Sequence, residues 1–206
     1  SNYQLAAIRY NNDGGIWNNS SDILLYSGSS IGNKNVLIEN NKCNSPFTSQ
    51  GIWVSALGED QNIIVNTNHC ITTNEDGSDW TATTYWYRVG TGFLRRHGIQ
   101  VAYESNANSG AIIVSNNICK TTIMTGIYIS GGGEGKGVVV SNNYCIANGY
   151  TIEDDLSLAA GIFVGAGSGA SLVEGNQIID FKCVSTAGGA INIQRNIDTT
   201  TAHNVK

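Results

Sequence analysis

The sequence predicts an all-β solenoid of about six stacked coils. Three observations carry that prediction: a segment that returns five times, short runs of β-forming residues set between Gly, Asn and Ser, and very little charge. The chain has 206 residues, of which 41% are hydrophobic and 13% charged, with 25 Gly, 25 Asn and a single proline, Pro46. The charged share is about half the globular norm of roughly 25%, so the solubilising surface has to be built from Asn, Ser, Thr and Gly. Disorder requires low hydrophobicity with high charge and does not fit. Collagen is excluded because Gly shows no three-residue period.

The repeat is read first from NVLIENNKC (35–43), NIIVNTNHC (62–70), AIIVSNNIC (111–119), GVVVSNNYC (137–145) and ASLVEGNQI (170–178). Each is a β-branched run, a small polar residue, an Asn and, two positions on, Cys or Ile. The Asn falls at 41, 68, 117, 143 and 176, giving intervals of 27, 49, 26 and 33. A second signature follows each: GIWVS (51–55), GIQVA (98–102), GIYIS (126–130), GIFVG (161–165) and GAINI (189–193). No apolar stripe with a 3.6-residue period is long enough for a helix. A unit of about 27 residues cannot bury its own apolar side, but copies stacked on one another can.

This pattern resembles the right-handed parallel β-helix, the fold of pectate lyases, polygalacturonases and phage tailspikes, over nearly the whole chain. The resemblance implies one domain spanning 1–206, expected to be a segment of a longer chain, with Asn204-Val205 opening a further unit. It carries no specific function by itself.

Stacking at about 4.8 Å per coil gives each row a physical reading. In the first strand type, the residues three and five before the Asn are mostly Val or Ile and should face inward. Asn41, Asn68, Asn117, Asn143 and Asn176 should form an amide ladder at a corner, where Asn also tolerates left-handed backbone. Cys43, Cys70, Cys119 and Cys145 should form one row of small, reduced core residues. Four thiols in a line do not converge as zinc requires, and side chains pointing the same way make poor disulfides. Cys183 lies outside the row, and five cysteines fit folding in a reducing compartment.

Two rows break the simple alternation. Leu37, Ile64, Ile113, Val139 and Leu172 should face outward as an apolar stripe about 20 Å long. Either a neighbouring segment covers it or it is a subunit interface along the axis, the latter pointing to a homotrimer. In the Gly-Ile strands the outward row should be Trp53, Gln100, Tyr128, Phe163 and Asn192. Aromatic faces beside amides and hydroxyls suit sugar rings, whose C–H faces are apolar. In pectate-lyase-like and tailspike-like proteins the corresponding sheet and the loop before it carry the carbohydrate site. The alternative is that loops pack over these rings.

Two insertions enter before that strand. The first, about 74–97, holds Asp76, Asp79, Trp80, Trp86, Arg95, Arg96 and His97, and the second, about 146–160, holds Glu153, Asp154 and Asp155. Loops of this length usually serve binding, catalysis or assembly. Glycoside hydrolysis needs two carboxylates, about 5–5.5 Å apart for retention and about 6.5–9.5 Å for inversion. Asp79, Glu104 and Asp154 are the candidates. A lyase or epimerase would instead use Arg96 or His97 as base, with Arg or calcium neutralising a uronate; calcium enters only in that case, and no other cofactor or metal is expected. Arg-His-Gly-Ile (96–99) resembles the Gly-His-Gly-Ile element of polygalacturonases, but the remaining elements of that family and of the mannuronan epimerases are absent. A pectinase assignment is therefore disfavoured, and His97 is read as a polar loop-end residue ahead of a catalyst.

Eleven basic against sixteen acidic residues give a net charge of −5 with no basic run, so nucleic acid is a poor partner. No stretch approaches a membrane span. Gly131–Gly137 lacks the spacing and the terminal Ser/Thr of a phosphate loop. The reading that covers most features is a tailspike-like receptor-binding protein of a virion tail or cell surface that recognises, and in some circumstances depolymerises, a surface polysaccharide. The alternatives are a bacterial secreted lyase, hydrolase or epimerase, and a non-catalytic structural adhesin.

Overall fold

A computed structural model describes residues 23–26, 35–44, 51–56, 62–72, 97–103, 111–121, 125–130, 137–147, 160–165, 171–179, 189–193 and 204–205. In chain order the strands are β1 (Ile23–Tyr26), β2 (Asn35–Glu39), β3 (Lys42–Asn44), β4 (Ile52–Ala56), β5 (Asn62–Asn66), β6 (His69–Thr72), β7 (His97–Tyr103), β8 (Ile112–Ser115) and β9 (Ile118–Thr121). They continue as β10 (Thr125–Ser130), β11 (Val138–Ser141), β12 (Tyr144–Ala147), β13 (Ala160–Val164), β14 (Ser171–Glu174), β15 (Gln177–Ile179), β16 (Gly189–Ile193) and β17 (Asn204–Val205).

Every strand pairs in parallel with the strand three further along. Sheet A runs β1-β4-β7-β10-β13-β16, sheet B β17-β14-β11-β8-β5-β2 and sheet C β15-β12-β9-β6-β3. The molecule is a parallel β-helix. Six strands in sheets A and B and five in sheet C make five complete coils and part of a sixth, against the expected six.

Alternation places the core where the sequence put it. Strands β8 and β11 read buried, half-buried, buried, half-buried, with Ile112 and Val114, then Val138 and Val140, inward. Sheet A contributes Ile52, Val54, Ile99, Val101, Ile127 and Ile129, all fully enclosed. Each such side chain contributes about 1.5–3 kcal/mol relative to exposure, and stacking multiplies the contact because every rung packs on a near copy of itself. Sheet C contributes the cysteine row, paired in register from Cys43 to Cys70 to Cys119 to Cys145.

The Gly of the Gly-Ile signature follows from that row. A Cβ on Gly98 would lie 2.8 Å from Cys119 Cβ and 2.8 Å from the Gly126 carbonyl oxygen, closer than carbon atoms approach. Gly51 and Gly126 meet Cys70 and Cys145 in the same way. Successive coils therefore interlock, with a bare backbone in one sheet receiving the thiol of the next coil.

The corner between sheets B and C holds the coils in register. Asn41 Nδ2 donates to Asn68 Oδ1 (3.0 Å), Asn68 to Asn117 (3.0 Å), Asn117 to Asn143 (3.0 Å) and Asn143 to Asn176 (2.9 Å). Each accepting Oδ1 also takes the backbone N–H of the previous ladder residue, at 2.9–3.1 Å. In Asn68, Asn117, Asn143 and Asn176 the amide nitrogen also donates to a carbonyl of the preceding coil, as from Asn117 to Val65 O at 3.0 Å, whereas Asn41 donates to Glu39 O in its own coil. Asn68, Asn117 and Asn143 are thus buried with their hydrogen-bonding capacity used.

One expectation shifts by a residue. The left-handed backbone is carried by Asn40, Thr67, Asn116, Asn142 and Gly175, at φ 54–64°, and not by the ladder Asn that follows. The chain must complete its reversal before the next side chain can point along the stack. Thr67 is the exception in residue type, a β-branched side chain where Asn or Gly otherwise stands. Ser171 is a second irregularity. It takes an inward position that is Val or Ile in the other coils, and its buried Oγ meets no hydrogen-bond partner among the described residues.

Removing a central amide leaves several buried groups unsatisfied, each costing about 1–3 kcal/mol. Asn117→Ala is expected to lower unfolding free energy by at least about 3 kcal/mol, and Asn41→Ala, at the half-exposed end, by about 1 kcal/mol; urea midpoints at constant m-value would show the gradient. In the opposite direction, Thr67→Asn relieves left-handed strain and Ser171→Val removes a buried orphan hydroxyl. Each should stabilise by about 1 kcal/mol, and the two should add, being in different coils, which a double variant in the same urea assay checks.

Candidate functional site

The outer face of sheet A assembles the row that sequence singled out. Trp53 pairs with Gln100, Gln100 with Tyr128, Tyr128 with Phe163 and Phe163 with Asn192. Both long insertions enter this sheet at the same edge, between β6 and β7 and between β12 and β13. Of the candidate catalytic residues, His97 is in β7; Asp79, Arg96 and Asp154, with Trp80 and Trp86, whose rings are the insertion's candidates for stacking on a sugar, lie in those insertions and outside the described residues. Glu104 directly follows β7 and also lies outside them.

Burial divides the row. Trp53 is half-buried, whereas Gln100, Tyr128 and Phe163 are 6%, 7% and 2% exposed. A sugar could therefore meet Trp53 directly, while the other three form a closed layer against the sheet. Trp53 Nε1 is itself shut off from solvent and faces no acceptor among the described residues.

His97 joins that layer in a way the sequence did not show. Its ring is fully buried and stacks on Tyr128, with centroids 4.6 Å apart and planes 15° from parallel; Tyr128 stacks in turn on Phe163 at 4.8 Å and 8°. Both separations match one coil spacing. Strict alternation would send His97 inward with Ile99. Gly98 breaks the alternation, because it turns its bare backbone to Cys119 while Ile99 still enters the core, so His97 and Gln100 share the outer side. The readable signal was the position before the Gly-Ile signature, where Thr125 and Ala160, also buried, continue the row. Tyr128, Ala160 and Phe163 form an apolar cluster of their own, separate from the interior core. His97 is held in a stack rather than at an open loop end.

The cysteine row is the other concentration of reactive side chains. None of the four thiols is in a disulfide and all are buried, one per coil along a line, and among the described residues no three metal-ligating side chains converge. Cys183 lies outside the described residues. Hydrogen bonds to Cys145 and Cys70, then complete burial, push the Cys119 thiol well above its ordinary range. Hydrogen bonds from Cys119 and Cys43 pull Cys70 the other way, against its burial. An anion at Cys119 would stand in an apolar interior, so this thiol stays protonated.

A thiol whose folded pKa is raised contributes stability that is complete below its unfolded value, near 9.0, and is lost as pH climbs toward the folded value. The Cys119 contribution should therefore be constant across neutral pH and be lost above about pH 9. Cys119→Val should flatten that alkaline fall, and native protein should react with a thiol reagent at these four positions only at the rate of unfolding. No family model, curated protein or solved structure matches the chain.

Proposed function

We propose that the chain is a carbohydrate-recognising β-helix of the tailspike-like, receptor-binding kind, whose glycan site lies on the outer face of sheet A where the two insertions enter. The observation that carries this reading is the in-register row from Trp53 through Gln100 and Tyr128 to Phe163. Only one face of the solenoid bears stacked aromatic rings among the described residues, and the long insertions flank that face. Trp53, half-buried, supplies an accessible ring face on which the apolar face of a pyranose can stack. The buried His97–Tyr128–Phe163 layer acts as a rigid floor beneath it. Buried thiols outside any disulfide favour a protein folded in a reducing cytosol over one matured in a secretory pathway. Depolymerisation of the bound polysaccharide would use the carboxylates Asp79, Glu104 and Asp154.

Trp53→Ala should weaken binding to a panel of bacterial surface polysaccharides by at least about tenfold, equivalent to about 1.4 kcal/mol, with an unchanged melting temperature. Leu37→Ser, on the far side of the coil, should bind like wild type. Equal binding by Trp53→Ala, or no polysaccharide bound by wild type, would sink the reading. A depolymerisation screen of Asp79→Asn, Glu104→Gln and Asp154→Asn separates binding from catalysis, because activity unchanged in all three discards those carboxylates.

A further inference from the structure

The cysteine column is a concentration of nucleophilic side chains that the packing of the core does not require. In the fifth coil Ile178 takes the same place, in register with Cys145, and packs against the core. The inward positions of sheet A between Ile52 and Val164 are filled by Val and Ile. Four successive thiols are therefore a chemical feature in need of a use.

Their sulfurs repeat in one geometry. Cys43, Cys70, Cys119 and Cys145 stand directly opposite one another on β3, β6, β9 and β12, each 0–1% exposed. Cys70, Cys119 and Cys145 also meet sheet A alike: a Cβ on Gly51, Gly98 or Gly126 would find both the Cβ and the Sγ of the facing cysteine at 2.8–3.1 Å. One side-chain orientation on strands in register sets successive sulfurs within about one coil spacing, about 4.8 Å. Each reaches the next, since Cys119 hydrogen-bonds with Cys145 and with Cys70, and Cys70 with Cys43.

That arrangement fails for zinc, which gathers four ligands around a centre, and suits an ion that takes two ligands in a line. A metal–thiolate bond is about 2.3 Å, so a linear sulfur–metal–sulfur unit is about 4.6 Å long, close to one coil spacing. Its axis runs along the column and across the inward-pointing Cβ–Sγ bonds, and divalent sulfur favours bonds that are nearly perpendicular. Soft thiolate ligands select copper(I), a closed-shell ion that accepts linear coordination, as silver(I) does.

Charge also favours a monovalent ion, because an apolar interior penalises net charge. In a hydrogen-bonded pair of thiols one S–H bond breaks, its proton leaves to solvent, one sulfur–metal bond forms, and the second sulfur donates a lone pair. The pair stays neutral and no electron is transferred. A divalent ion would have to displace two protons to reach the same balance.

We propose that the column binds soft monovalent cations of the copper(I) class in linear pairs, one ion between Cys43 and Cys70 and one between Cys119 and Cys145. Hydrogen bonds from Cys119 and Cys43 pull the Cys70 thiol down to about 5 against its burial, so the proton to be displaced is held least firmly in the first pair. With the sulfurs enclosed, ions enter while coils form or open and are retained once they close. The site is in the interior and is independent of the glycan reading, which concerns the outer face of sheet A.

The test uses silver(I), which stays monovalent in air, on the 206-residue chain carrying Cys183→Ser, so that only the column is counted. The protein is refolded from urea in chloride-free buffer with excess silver(I) or zinc, gel-filtered and weighed by native mass spectrometry. It should keep two silver ions, each replacing one proton, and no zinc, and the silver form should melt at a higher temperature. Two double variants retain two column thiols each and separate adjacency from thiol number. Cys43→Ala with Cys70→Ala leaves Cys119 beside Cys145 and should keep one silver ion; Cys70→Ala with Cys119→Ala leaves Cys43 and Cys145 apart and should keep none. A cooperative melt confirms that each is folded, and where an alanine pair does not fold the valine pair replaces it. A silver count other than two in the parent chain, retention of zinc, or equal silver in the two double variants would each overturn the proposal; the parent count decides it alone if neither pair folds.

Discussion

A side-chain amide that must meet its own image one coil away sets the rest of this structure. The ladder from Asn41 to Asn176 fixes register absolutely, since a slip of one residue would replace a satisfied buried amide by a side chain of another kind. It also fixes the length of the corner. The chain has one residue in which to reverse, at φ 54–64°, before the amide must be in place, so this corner has two residues in all five coils. With one corner invariant, every difference between coils is driven to the other two.

The composition follows from the same constraint. Rows in register put Cys beneath Cys and Val beneath Val, and would put charge beneath like charge at about 4.8 Å. A proline in any strand would delete a ladder bond. Interlocking is a further consequence: because each thiol always meets the same place on the next coil, the backbone there can be left bare, and Gly98 receives Cys119 as Gly126 receives Cys145. A chain without fixed register could not use Gly so regularly, for the gap it leaves would go unfilled.

The sequence was most legible where a physical requirement repeats. The sheet B interior positions, the amide ladder, the cysteine row and the outer apolar row recur at a fixed offset from one Asn, and the Trp53–Gln100–Tyr128–Phe163 row recurs two residues after the Gly of the Gly-Ile signature. What it did not show were departures from period two and details of burial. His97 was read as a loop end because it closes the first insertion and matches only a fragment of the Gly-His-Gly-Ile element; its outward stack follows from two consecutive inward positions, Gly98 and Ile99, which period-two alternation does not anticipate. The left-handed residue was assigned to the ladder Asn because Asn stands at both positions in coils such as 116–117 and 142–143. Thr67 and Gly175, which cannot be ladder amides, were the clue to the correct position. The enclosure of Gln100, Tyr128 and Phe163 depends on what lies over the sheet, which no periodic signal encodes. The carboxylate and arginine candidates sit in insertions that have no counterpart in other coils, so repetition gave them no position.

The three faces consequently do different work. Sheet A is approached by variable chain at both of its edges, so its outer row can be roofed, tuned and exposed locally, as the contrast between half-buried Trp53 and enclosed Phe163 shows. Sheets B and C share the one corner that cannot vary. The amide ladder is the cause of that difference, because the interaction that folds each coil onto the next also holds this corner at two residues and leaves every change of length to the other two.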